Sequence, residues 1–66
     1  MNKEEFKDAL RRNRMSYDEF SIIVGRSIRT VYEFGERTPV PFYARFALRV
    51  IDELGPDKTL KLAKMR

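Results

Sequence analysis

The sequence predicts an all-α fold, a compact bundle of four to five short helices. Three observations carry this. Apolar residues recur at i, i+3, i+4 in one segment after another. Asn2 and Ser16, each with a glutamate three residues on, stand ahead of the first two segments. Glycine or proline closes the later ones. With 66 residues the chain is one domain at most. A chain of this size buries only about 60% of its unfolded surface, so it is marginal unless it packs well or has a partner. Its 42% hydrophobic and 36% charged residues fit a small globular domain rather than a disordered one.

Asn2 is placed to cap a first helix, and Glu5 completes a capping box. Phe6, Ala9 and Leu10 form its apolar stripe. Lys7, Arg11, Arg12 and Arg14 gather toward its C-terminal half, where positive charge suits the helix dipole. They read as a solvated face, with phosphate contact as the alternative. Asn13-Arg14-Met15 breaks the pattern, and Ser16 with Glu19 makes a second capping box. Met15 and Phe20 occupy the two positions of a hydrophobic staple across that cap. Phe20, Ile23 and Val24 repeat the stripe, with Ile22 at the edge of the core. Gly25 ends the segment, as a residue free to take positive φ does.

Ser27 is a third N-cap. The helix it opens, about 27–34, buries Val31 and Phe34 and leaves Ile28, Arg29, Tyr32 and Glu33 on the outer side. Gly35 stops it, and Thr38-Pro39-Val40-Pro41 is a stiff connection. A fourth helix is expected from about Pro41 to Leu54, with Val40, Ala44, Ala47, Leu48 and Ile51 on one stripe. Tyr43, Phe46, Val50 and Leu54 widen that stripe beyond what one small core needs, which points to an interface. Gly55-Pro56 is an emphatic stop. The segment 56–66 reads as a C-terminal tail or short helix beyond a domain of 1–55. Asp57 would cap such a helix and Leu60 and Ala63 would be buried; the alternative is a strand in which Leu60 and Leu62 alternate.

Composition also excludes. The chain has no cysteine and no histidine, so zinc sites built on those ligands and mechanisms with a histidine base are out. No cofactor is expected, and no small-molecule ligand is evident. Carboxylates are scattered, and Glu4, Glu5, Asp52 and Glu53 read as helix-end and solvating charges, so no enzyme is expected. No apolar run approaches the roughly 18 residues of a membrane span, and MNKEEFKDAL lacks the apolar stretch of a signal peptide. The basic residues are spread over several helices, unlike those of a membrane-surface helix. The expected location is the cytoplasm. A net charge of +4 permits a polyanionic partner without requiring one.

Two capped segments joined through Gly25 have the layout of a helix-turn-helix. The pattern Ser16-x-x-Glu19-Phe20-x-x-Ile23-Val24-Gly25-x-Ser27-x-x-Thr30-Val31-x-x-Phe34 resembles the Cro/C1-type (lambda-repressor-like) helix-turn-helix family. The likeness spans residues 3 to about 54. It departs at Tyr17, where the family often has Gln, at Arg26, where it has Val, and at Phe34-Gly35, where it has Trp-Glu. The segment 39–48 looks like the fourth helix of small phage regulators, some anti-CRISPR-associated repressors among them.

The resemblance implies that the helix after Gly25 enters the DNA major groove. Carried over position by position, Ile28, Arg29 and Glu33 fall where base contacts are made, and Tyr32 falls beside them at the groove wall. Arg29 suits the O6 and N7 acceptors of guanine, and Glu33 suits cytosine N4. The plain structural alternative is an exposed Arg29–Glu33 ion pair of about 0.3–0.5 kcal/mol. Ile28 could touch a thymine methyl or simply sit at an exposed edge. Backbone contacts are expected from Ser16, Tyr17, Arg26, Ser27, Thr30, Arg37, Thr38 and Arg45, with N-capping as at least part of the role of Ser16 and Ser27.

The expected function is a sequence-specific transcriptional repressor that binds a double-stranded DNA operator. It would be a homodimer on an inverted repeat and autoregulatory in a phage or mobile-element operon. The expected dimer surfaces are the apolar excess of 42–54 and Leu60, Leu62 and Met65, unless the tail only covers the core. The alternative is a protein-interaction module, an antitoxin or adaptor, that uses the scaffold without reading DNA. RNA binding, with Tyr17, Tyr32 and Tyr43 stacking on bases, comes third.

Overall fold

In the computed structural model, which describes residues 1–65, the caps Asn2, Ser16 and Ser27 each open a helix. Arg66, the last residue of the tail segment, lies outside the described residues. Helix α1 is Lys3–Arg12. Asn2 Oδ1 accepts from the Glu5 amide at 2.8 Å, and Glu5 Oε1 accepts from the Asn2 amide at 2.8 Å. Helix α2 is Tyr17–Val24. Ser16 Oγ accepts from the Glu19 amide at 3.1 Å, and Glu19 returns the bond at 2.9 Å. Both staple residues, Met15 and Phe20, are buried. Ser16→Ala removes one partner of that box and is expected to cost about 1 kcal/mol. The check is a urea midpoint lowered at unchanged slope.

Gly25 closes α2 in the left-handed region, φ 69° and ψ 31°, with its amide donating to the Ser21 carbonyl at 2.9 Å. Two residues later Ser27 caps α3, which is Ile28–Glu33. Phe34 leaves the helix in an extended conformation, so α3 ends one residue earlier than the sequence suggested. Val31 and Phe34 are both buried, as expected. Gly35 then takes φ 82°, and its amide donates to the Thr38 carbonyl at 2.7 Å. Phe34 and Thr38 form an isolated bridge, and there is no strand among the described residues.

Helix α4 is Phe42–Leu54, with Pro41 just ahead of it. Helix α5 is Pro56–Lys64, which settles the tail as a helix. Two details differ from expectation. Gly55 holds the cap position and Pro56 opens the helix, so Asp57 lies in the first turn instead of capping. Thr59, not Leu60 or Ala63, is the buried residue. The cause is that Thr59 Oγ1 donates to the Gly55 carbonyl at 2.8 Å, and a hydroxyl satisfied within its own helix can be buried. α5 packs against α2 and α4.

The core is aromatic at its centre. Phe6 of α1 meets Phe20 at 5.3 Å, Phe34 at 5.7 Å and Tyr17 at 6.0 Å between ring centroids, each edge to face. Ala44, Leu48 and Ile51 of α4 complete it. The end of α1 is tied to α4 through Asp52, which accepts from Asn13 Nδ2 at 3.0 Å and from Arg12 at 3.3 Å. The Cα radius of gyration is 10.8 Å, the compactness of a folded chain of this length.

Candidate functional site

The turn at Gly25 leads into α3, whose inner side is fixed by the buried Val31 and by Phe34 at its end. What remains outside is what the sequence pattern marked. Arg29 and Tyr32 are exposed, and Ile28, Thr30 and Glu33 are half-buried. The ion pairs among the described residues are Arg11–Asp8 and Arg12–Asp52. Arg29 therefore does not pair with Glu33. Its guanidinium has no ion-pair partner among the described residues.

Tyr32 is 53% exposed but does not stand free. Its ring lies 4.4 Å from that of Tyr17, tilted by 34°. Its carbonyl accepts from Lys3 Nζ, so α1 is stitched to the last turn of α3. Tyr17 is packed between Phe6 and Tyr32, and its hydroxyl is shut off from solvent with no hydrogen-bond partner. The Tyr17 phenol is thus closed off from contacts outside the chain.

Burial pushes the Tyr17 hydroxyl above its ordinary value of 10.0, and Tyr32, Glu36 and Glu4 add to the shift. The folded chain holds this proton more tightly than the unfolded chain does. The stabilisation is complete below the unfolded value and is lost as pH rises through the raised one. Wild type is therefore expected to lose stability as pH rises above the ordinary tyrosine value of 10.0, and Tyr17→Phe to lose less. At pH 8 Tyr17→Phe should be neutral or slightly stabilising, since the hydroxyl it removes is unpaired. Urea melts of both proteins across this rise in pH are the check; parallel declines would show that Tyr17 is not the titrating group.

Beside the tyrosine pair lies a cleft of about 630 Å³, lined by Lys3, Lys7 and Arg11 of α1 together with Tyr17, Tyr32 and Glu36. The three basic residues stand at i, i+4, i+8, one face of the helix. The sequence reading grouped Lys7 and Arg11 with Arg12 and Arg14 instead and did not single out this row. The row was legible in the spacing. Its meaning was not, because the tyrosines that face it come from α2 and α3. Arg12 turns away to Asp52, and Arg14 lies beyond α1 in the left-handed region, φ 53°.

The other expected backbone contacts divide into three groups. Ser16 and Ser27 serve as caps, and Thr30 Oγ1 lies 3.0 Å from Ser27 Oγ. Arg37 and Thr38 stand in an exposed turn fixed to the end of α3, where the Glu33 carbonyl accepts from the amides of Glu36, Arg37 and Thr38 at 3.1, 3.2 and 3.4 Å. Arg26 and Arg45 belong to a different surface. Arg26 Nε donates to Tyr43 Oη at 3.4 Å and its guanidinium lies 5.1 Å from that ring's centroid, while Arg45 lies 5.9 Å from the ring of Phe42. The structure therefore joins Tyr32 to Tyr17 and α1, and sets Arg26 and Arg45 against the aromatic residues of α4.

Among the described residues no three acidic side chains gather as a metal site would require, and no helix is long and apolar enough to cross a membrane. Comparison with known proteins finds no matching family model, no matching curated protein and no matching solved structure.

Proposed function

We propose that this chain is a sequence-specific DNA-binding repressor of the helix-turn-helix type, with α3 lying in the major groove. The observation that carries the reading is the state of Arg29. It is an exposed guanidinium without an internal partner, on a helix whose other face is locked into the core. The major groove is about 12 Å wide and admits one helix. Arg29 then reads guanine, Glu33 accepts from cytosine and Ile28 meets a thymine methyl, with Tyr32 at the groove wall.

The amides at the start of α2, the turn carrying Arg37 and Thr38, and the α1 row Lys3, Lys7 and Arg11 supply phosphate contacts on either side. A repressor of this size acts by occupancy, and the resemblance to phage regulators extends the reading to its own promoter.

Dimerisation would double the few base contacts one module makes. The exposed side of α5 supports it. Leu62 and Met65 are 49% and 72% exposed there, with Asp57 near one end of the helix and Lys61 and Lys64 near the other.

Substitution separates the two kinds of contact. Arg29→Ala is expected to cost about 1–3 kcal/mol on the preferred duplex and to relax preference at one base pair. Arg37→Ala should weaken every sequence alike and flatten the salt dependence by about one unit of slope. Affinities on the preferred and a scrambled duplex, across a salt series, test this. Equal losses for both variants on both duplexes would refute the assigned roles. The second reading, a protein-interaction module, is favoured by one observation, the exposed aromatic face of α4.

A further inference from the structure

α4 carries a surface that neither the core nor the recognition face of α3 uses. Phe42 and Phe46, one turn apart, are 71% and 56% exposed, and their rings stack at 6.1 Å with 26° between planes. Next to them runs a groove of about 410 Å³, lined by Ile23 and Val24 of α2, Tyr43, Phe46 and Val50 of α4, and Arg26. Arg26, Arg45 and Arg49 are exposed and have no carboxylate partner among the described residues. The first ten residues of α4, 42–51, contain no Asp or Glu. Asp52, further along, is already taken by Arg12 and Asn13. Glu53, four residues after Arg49, is the remaining carboxylate of α4; set against Arg26, Arg45 and Arg49 it leaves the face apolar and net cationic.

We propose that this face docks an amphipathic helix of another protein, one whose apolar anchors at i, i+3 or i+4, and i+7 are flanked by Asp or Glu. The anchors fill the groove and cover the two phenylalanines, and the carboxylates meet Arg26, Arg45 and Arg49. A second copy laid on this face through its own α4 would set three arginines and one glutamate against the same set, a net repulsion. A bilayer is flat and leaves the groove empty. Nucleic acid would satisfy the arginines but press phosphates against two phenyl rings.

The test is selection from a display library of helical 16-residue peptides on the full-length chain, followed by fluorescence anisotropy with the enriched peptide. Enriched peptides should combine helix-spaced apolar anchors with Asp or Glu. Phe46→Ala and Arg49→Glu should each weaken binding about tenfold or more, about 1.4 kcal/mol, while circular dichroism shows the fold unchanged. Four results would overturn the proposal. They are no enriched helical peptide, enriched peptides that are neutral or basic, self-association that Phe46→Ala abolishes, and binding to phosphatidylserine-containing vesicles that Phe46→Ala abolishes. The selection contains no DNA, so docking stands or falls apart from the DNA reading.

Discussion

Phe6→Ala is expected to leave the chain without a cooperative unfolding transition at 25 °C. Phe6 is fully buried, and it is the ring on which Phe20, Phe34 and Tyr17 converge from α2 and the end of α3. Removing a buried phenyl ring costs about 3–5 kcal/mol, transfer and cavity terms together. Edge-to-face pairs contribute about 0.5–1.5 kcal/mol each beyond burial. A domain of this length has only about 3–5 kcal/mol to lose. The cavity cannot collapse easily, because the three surrounding rings are held on two separately packed elements, α2 and the end of α3. A urea melt followed by circular dichroism checks it. A cooperative transition within about 1 kcal/mol of wild type would show that the aromatic centre does not hold α1 in place.

Gly35→Ala is expected to be the most damaging change outside the core. Gly35 takes φ 82°, and a methyl group there would lie 2.7 Å from the Lys3 amide nitrogen and 2.8 Å from Lys3 Cα. Both atoms are backbone, so no side chain can swing aside. The substitution forces the start of α1 away from the turn after α3, on top of the cost of positive φ, and should cost about 2 kcal/mol or more. Gly55 is a comparison. It also has positive φ, 90°, but a methyl group there meets nothing within 4 Å, so Gly55→Ala carries backbone strain alone. The expected order of urea midpoints is wild type, then Gly55→Ala, then Gly35→Ala. The effect also reaches function. Lys3 holds the Tyr32 carbonyl, so Gly35→Ala should loosen the cleft beside Tyr17 and weaken DNA binding even where the variant is folded. A Gly35→Ala midpoint within about 0.5 kcal/mol of wild type would contradict the close approach.

Local signals made most of this fold legible. Asn2 with Glu5, Ser16 with Glu19, and Gly25 with Ser27 are short-range devices whose partners lie within four residues, so spacing alone identifies them. The apolar stripes on α1, α2 and α4 follow from one helical period. The phase of α5 was less legible. It depends on Pro56 starting the helix one residue before Asp57 and on Thr59 finding an acceptor in Gly55, which changes which residue faces inward. At the candidate site, the outer residues of α3 followed from the burial of Val31 and Phe34. The Tyr17–Tyr32 stack, the Lys3 bond to Tyr32 and the placement of Arg26 over Tyr43 did not. Each joins residues 15 or more positions apart, and no local pattern encodes such a meeting.

The most direct test of the DNA reading is selection from a random duplex library with the purified chain at about 150 mM salt, where purely electrostatic binding is suppressed. The account predicts an inverted repeat with half-sites about 10 bp apart, or a multiple of that, and loss of one base preference per half-site with Arg29→Ala. Binding that yields no motif, and that fades with salt equally for every duplex, would contradict it.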